Sequence, residues 1–276
     1  MARLWNYPFI QSHSSMSHPI SLQRTLGLKR PLAESIPRAR PRNLSGHPFI
    51  MNAITRCFDT YWSSSIGKKI VVAVTGILLC LFLAGHLAGN LLIYAGREAF
   101  NEYAAFLHSM LHGAGIWIAR IGLLVAVTLH VAGTIALTRQ NRAARQPYEC
   151  KATIQATKSS RMMIWSGLTI LAFVIFHLLH FTVRVDCQLA SLGKEDPYGM
   201  VIVGFKSIPV SAFYILAITL LCSHLHHGVA SIFQTLGLRT KKNDGAIRQF
   251  SGAFSLVIWL GFLSIPISVL LGFLKF

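Results

Sequence analysis

Histidine side chains lie deep inside stretches of this sequence that are otherwise almost entirely apolar. The 276-residue chain has 12 histidines, and the deeply placed ones are His86, His130, His177, His180, His224, His226 and His227. An ionisable side chain in such surroundings is costly, so it indicates a functional site with a specific partner. Because neutral imidazole is the commonest protein ligand for a metal, these residues predict metal chemistry inside the apolar segments.

Five apolar segments must position these histidines. They span residues 69–95, 114–138, 162–184, 207–236 and 250–275. Each exceeds the ~20 residues that a helix needs to cross ~30 Å of hydrocarbon, and lipid forces the backbone to satisfy its own polar groups. The sequence therefore predicts an all-α membrane protein, a five-transmembrane-helix bundle within residues 51–276.

The composition agrees with a membrane protein and argues against an ordinary soluble enzyme. Hydrophobic residues make up 53% of the chain and charged residues 13%, against about 25% charged residues in soluble domains. The net charge of +17 is paired with long apolar runs, so we expect basic loops beside a bilayer and no nucleic-acid partner. The five cysteines lack C-x-x-C spacing, and no disulfide framework, zinc knuckle or covalent haem attachment is predicted.

Residues 1–50 differ from the rest of the chain. They are rich in Arg, Ser and Pro and contain a single acid, Glu34. We expect a disordered basic extension. A transit-like peptide and an over-long gene start, with Met51 as the true first residue, are the alternative interpretations.

Loop charges predict the orientation in the membrane. Segments 139–161 and 237–249 are rich in Lys and Arg, whereas 96–113 and 185–206 are not. Lys/Arg-rich loops stay in the cytoplasm. The N-terminus is therefore expected to be cytoplasmic and the C-terminus to lie on the outer side.

One histidine on each of the first four segments lies about two-thirds of the way along it: His86, His130, His177 and His224. Successive membrane helices run in opposite directions. His86 and His177 are therefore expected to meet near the outer side, and His130 and His224 near the inner side. Two stacked sites of this kind suit the passage of electrons across part of the bilayer.

Haem b fits two such pairs better than zinc does. Two imidazoles complete the axial positions of a haem iron, whereas structural zinc takes four N or S ligands around one point. Glycines beside the ligands are expected to clear space for the flat ring: Gly85, Gly89, Gly133 and Gly228.

The residues alone leave alternatives open. His180 is an alternative ligand to His177, and His227 is an alternative to His224. Hydrogen bonds between helices would also account for intramembrane histidines without any metal.

Five runs of sequence carry a resemblance to a known family. They are S-x-G-K-K-I-V-V-A-V-T-G at 65–76, G-H-L-A-G-N at 85–90, G-R-E-A-F-N-E-Y at 96–103, W-I-A-R-I-G-L-L at 117–124 and F-H-L-L-H-F-T at 176–182. Residues 51–276 resemble the cytochrome b membrane-anchor subunit of succinate dehydrogenase and fumarate reductase, of the five-helix, two-haem bacterial type.

The resemblance implies two b haems and their ligands. On matching positions the outer haem iron would be held by His86 and His177, and the inner one by His130 and His224. It also implies a multi-pass subunit of the bacterial cytoplasmic membrane that anchors a flavoprotein and an iron–sulfur subunit on the cytoplasmic face. Electrons would pass through the haems to a membrane quinone. Without a Gly-rich dinucleotide fingerprint or a cysteine cluster, this chain is not expected to oxidise succinate alone.

Polar residues near the expected outer haem are candidates for a quinone site. They are Arg97, Glu98, Glu102 and His108, and a carboxylate among them could relay protons to and from the quinone. The alternative is that they form a solvated helix face.

Other functions remain possible at this point. They are a cytochrome b subunit of another membrane dehydrogenase, of the hydrogenase or formate dehydrogenase type, a transporter that relays protons through histidines, and a haem-free assembly scaffold.

Overall fold

A computed structural model of the chain describes residues 56, 62–144, 158–193 and 195–276. All of them belong to one compact unit, His47–Phe276. The predicted extension 1–50 and much of the basic segment 139–161 lie outside these ranges. Within them the chain forms helices and no strand.

The helices follow one another with short connections. They are α1 (Ser65–Leu91), α2 (Arg97–Ser109), α3 (Ala114–Ala143), α4 (Lys158–His177), α5 (Cys187–Leu192), α6 (Pro197–Lys206), α7 (Ile208–Thr235) and α8 (Asp244–Leu270). Short 3₁₀ turns at Leu92–Ala95 and Met110–Gly113 join α1 to α2 and α2 to α3. A π-helical turn, Leu178–Val183, extends α4.

The prediction that the apolar segments form five long helices is confirmed. Five helical stretches in the described part of the chain are long and apolar enough to cross a bilayer: Ser65–Ala95, Arg97–Ala143, Met163–Val183, Ile208–Thr235 and Asp244–Leu270. Large apolar side chains such as Leu81, Ile118 and Trp165 are 66%, 64% and 64% exposed. An apolar exterior of this kind suits contact with lipid.

The last helix differs from its predicted bounds, 250–275, and a local cap fixes its C-terminal end. It begins at Asp244 and ends at Leu270. Gly272 adopts a left-handed conformation with φ +75°, and the N–H groups of Gly272 and Phe273 donate to the carbonyls of Val269 and Ser268. This is the Schellman arrangement, in which a glycine stops the helix.

The membrane helices pack so that α1 lies against α3, α4 against α7, and α7 against α8. Helix α1 also contacts α7 and α8. Most of the large side chains that are fully buried come from α6, α7 and α8, among them Ile202, Ser211 and Ile258. This arrangement places two helix pairs, α1–α3 and α4–α7, around the deep histidines.

A glycine allows the close approach of α3 to α1. A Cβ atom at Gly133 would lie 2.7 Å from the Val72 Cγ2 atom. Real side chains do not tolerate such a contact, and Val72 is β-branched and restricted at χ1 in a helix. Gly133 is therefore a packing residue.

We expect Gly133→Val to destabilise the bundle by about 1–3 kcal/mol because it overpacks this contact. Val72→Ala should restore part of the loss in the double variant. The measurement is the free energy of unfolding of the purified protein in detergent micelles. Ala132→Val adds bulk at an exposed position of the same helical turn and should change stability little. An equal loss of unfolding free energy in Ala132→Val and Gly133→Val would contradict this packing role.

Candidate functional site

His86 and His177, the pair expected near the outer side and called the outer pair below, lie in contact with each other. His86 on α1 and His177 at the end of α4 have ring centroids 5.9 Å apart, with the ring planes at 84°. A metal ion bonded at about 2 Å to one nitrogen of each ring would place the centroids about 6 Å apart. The spacing therefore suits two imidazoles on opposite sides of one metal ion.

Aromatic side chains surround this pair. Phe82 stacks on His86 with centroids 5.2 Å apart, and Phe262 from α8 lies 5.7 Å from the same ring. Phe173 lies 5.9 Å from His177. These rings make the surroundings of the pair apolar and limit the access of water.

The two histidines expected to form the inner pair, His130 on α3 and His224 on α7, each lie against a neighbouring helix, α1 and α4 respectively. Each ring lies over a glycine of a neighbouring helix. A Cβ at Gly76 would be 3.4 Å from the His130 Cε1 atom, and one at Gly167 would be 3.7 Å from that of His224.

Three of the four rings direct Nδ1 to a hydroxyl of another helix, which the sequence analysis did not foresee. His130 Nδ1 lies 3.1 Å from Thr75 Oγ1, and His224 Nδ1 lies 3.3 Å from Ser166 Oγ. His177 Nδ1 lies 3.3 Å from the buried phenol oxygen of Tyr214. His86 differs, because the closest polar side-chain atom to its Nδ1 is the Asn90 amide nitrogen, 3.4 Å away on the same helix.

A repeated pattern in the sequence could have identified two of these hydroxyls. Residues 75–86 read T-G-x5-F-x3-H, and residues 166–177 read S-G-x5-F-x3-H. In each copy the last histidine belongs to the outer pair, whereas the hydroxyl and glycine contact a histidine of the inner pair.

The two alternative ligands occupy different surroundings. His180 lies in the π-helical turn, where its ring packs against Phe181 at 4.2 Å and its Nδ1 is 3.0 Å from the Tyr214 oxygen. The ring of His227 meets that of His226 at 5.3 Å. The contact with His86 is made by His177.

The four glycines expected to clear space for a flat ring divide into two kinds. A Cβ at Gly85 or Gly228 would have no neighbour within 4 Å, so space is open beside those positions. The expectation is wrong for the other two. A Cβ at Gly89 would lie 2.5 Å from Tyr103 Cε1, and Gly133 packs on Val72. Both of these admit a side chain of a neighbouring helix.

The donor set fits haem better than a metal ion bound by protein alone. In the described ranges no group of three or more His, Cys, Asp or Glu side chains is placed to hold a metal ion. Two facing imidazoles supply two ligands to a metal ion, and the remaining ligands must come from a bound cofactor. A porphyrin carries its own four nitrogen ligands, so a pair of histidines is sufficient for it.

The four candidate quinone-site residues lie together on α2. Arg97 forms an ion pair with Asp196 at 3.3 Å, and its guanidinium lies over the rings of Tyr198 and Phe276. His108 donates from Nδ1 to the carbonyl of Ala104 at 2.8 Å. Glu98 and Glu102 are exposed.

Asn101 completes the contact between α2 and the start of α6. Its amide nitrogen donates to Asp196 Oδ1 at 2.9 Å, and its amide oxygen accepts from the backbone N–H of Tyr198 at 2.9 Å. Tyr198 lies in the first turn of α6, where backbone N–H groups have no partner within the helix. The side chain of Asn101 thus caps α6.

One comparison with known families gives a match. Residues 135–262 match the sequence model of the family described as Succinate dehydrogenase/Fumarate reductase transmembrane subunit. The matched range is slightly less than half of the chain. It holds α4 and α7 and therefore includes His177 and His224, whereas His86 and His130 precede it. No curated protein and no solved structure matches the chain significantly. The match supports a transmembrane subunit of this type and agrees with the five membrane helices.

We expect Asn101→Ala to cost about 1–2 kcal/mol of stability, because it removes the cap of α6 and leaves the Tyr198 N–H without a partner. Glu102→Ala, at the next and exposed position, should stay within about 0.5 kcal/mol. Denaturation in detergent, followed by circular dichroism, compares the two variants. Equal stability of both would contradict the capping role.

Proposed function

We propose that this chain is the di-haem cytochrome b membrane anchor of a succinate:quinone oxidoreductase. In this role it passes electrons between an iron–sulfur subunit and a membrane quinone. The observation that carries the proposal is the facing pair His86 and His177, whose ring centroids lie 5.9 Å apart inside a bundle of membrane helices. The family match over residues 135–262 supports the same role.

Four histidines would hold the haems. His86 and His177 would ligate the outer haem iron, and His130 and His224 the inner one. When bound, each haem supplies a one-electron carrier whose potential depends on its axial ligands and their hydrogen bonds. Phe82, Phe173 and Phe262 pack around the outer pair, and exclude water from it.

The soluble partners would dock on the cytoplasmic face, as flavoprotein and iron–sulfur subunits of the same complex. Basic residues at the expected cytoplasmic ends of the helices support docking on this face. Lys241 and Lys242, between α7 and α8, are exposed, whereas Asp244 pairs with Arg239 and Arg248. The bilayer would be the bacterial cytoplasmic membrane, with the N-terminus on the cytoplasmic side.

A quinone site would lie along α2 at the outer side. The carboxylates of Glu98 and Glu102, which are exposed, would exchange protons when a quinone takes up two electrons and two protons. Arg97 is held by Asp196 and by two aromatic rings, so its contribution would be to orient α2. His108 lies farther along the same helix, nearly two helical turns beyond Glu102.

The purified chain is expected to contain two low-spin b haems, because two separate histidine pairs are available. Pyridine haemochrome quantitation and a reduced-minus-oxidised spectrum measure their number and type. A flavoprotein and an iron–sulfur protein that co-purify and reduce the haems with succinate would identify the complex. A haem-free protein from cells with ample haem would contradict the proposal. Reduction by hydrogen or formate instead of succinate would indicate another dehydrogenase.

We expect Glu98→Gln and Glu102→Gln to lower the rate of quinone reduction by succinate at least several-fold, since each removes a proton-exchanging group. Haem content and succinate oxidation with a soluble dye should be unchanged. Glu195→Gln, in the connection between α5 and α6, serves as the control carboxylate. Full quinone reduction in both α2 variants would contradict a role for these carboxylates.

A further inference from the structure

Two hydroxyl groups, one on α1 and one on α4, have their own protons committed to the backbone. Thr75 donates from Oγ1 to the carbonyl of Val71 at 2.7 Å, and Ser166 donates from Oγ to that of Met163 at 3.0 Å. Each oxygen can therefore only accept from the histidine nitrogen beside it. These nitrogens are His130 Nδ1 at 3.1 Å and His224 Nδ1 at 3.3 Å.

The direction of these hydrogen bonds fixes the tautomer of each imidazole. A neutral imidazole has one N–H, and the other nitrogen keeps the lone pair that binds a metal. When Nδ1–H donates to a hydroxyl, Nε2 is left as the metal-binding nitrogen. The bond also fixes the ring orientation and raises the basicity of the ligand.

Tyr214 performs the same task for the outer pair through a short chain of hydrogen bonds. Its phenol oxygen lies 3.3 Å from His177 Nδ1 and 3.0 Å from His180 Nδ1, and the side chain is 3% exposed. One proton on the phenol can satisfy only one of these nitrogens. If His177 donates to the phenol, the phenol donates to His180, which then keeps its N–H on Nε2 and is no ligand through that atom.

We infer that Thr75, Ser166 and Tyr214 are positioning residues for the haem ligands. They hold the Nδ1–H groups of His130, His224 and His177, so that Nε2 of each would be the nitrogen that binds the iron. The inference rests on the proposed function, because it assigns these hydroxyls to the haem-binding histidines. It also divides them: Thr75 and Ser166 act on the inner haem, whereas Tyr214 acts on the outer haem.

Redox titration of the two haems in the purified holoprotein tests this division. Loss of a hydrogen bond makes the imidazole a weaker donor and stabilises ferric iron less. Thr75→Val and Ser166→Ala should therefore raise the midpoint potential of one and the same haem, namely the haem that His130→Ala removes. Tyr214→Phe should raise the potential of the other haem only. The low-spin ferric EPR signal of the affected haem should shift in each variant.

Matched controls separate the hydrogen bond from packing. Thr75→Ser keeps the hydroxyl and should keep the wild-type potential. Thr75→Val keeps the shape of the side chain but loses the hydroxyl, so its potential should shift. Thr128→Val removes a hydroxyl from α3 that donates to Leu124, two residues from His130, and should shift neither haem. Ser166→Ala tests the same haem independently if Thr75→Val does not assemble.

Three results would overturn the inference. They are equal potentials in Thr75→Ser and Thr75→Val, shifts of different haems in Thr75→Val and Ser166→Ala, and no shift of either haem in Tyr214→Phe. Haem in the wild-type protein with unmoved potentials in the variants would contradict only this inference. Absence of haem from the wild-type protein would contradict the proposed function itself.

Discussion

A neutral imidazole in hydrocarbon must donate its single N–H to an acceptor in the protein, because no water is available there to accept the hydrogen bond. The arrangement of three deep histidines follows from this constraint. His130 and His224 meet a threonine and a serine whose protons are already used by their own backbones. His177 meets the phenol of Tyr214. Each bond crosses from one helix to its packing neighbour, so the same contacts join α1 to α3 and α4 to α7.

The pattern shared by residues 75–86 and 166–177 gives α1 and α4 equivalent tasks. Each helix presents a histidine to the outer pair, and about three turns earlier presents a hydroxyl and a glycine to a histidine of the inner pair. The two sites are thereby built from one set of four helices. In the proposed function this places two electron carriers at different depths of the bilayer, between a soluble donor and a membrane quinone.

Hydropathy and spacing were sufficient to predict the five helical spans and the similar depth of His86 and His177, because both depend only on helix length and direction. They could not predict which glycines face another helix. That depends on the rotation of each helix about its axis, and Gly89 and Gly133 pack on Tyr103 and Val72. The same rotation decides which hydroxyls meet the histidines. Long-range polar contacts such as Arg97 with Asp196 also lay beyond the pattern, since the partners are far apart in sequence.

The pairing of the histidines is the central claim, and difference spectra of six single variants test it most directly. The account predicts that His86→Ala and His177→Ala remove the same b haem, and that His130→Ala and His224→Ala remove the other one. His180→Ala and His227→Ala should retain both haems. Loss of different haems from the two members of a pair would contradict the account, as would loss of the outer haem from His180→Ala with retention in His177→Ala.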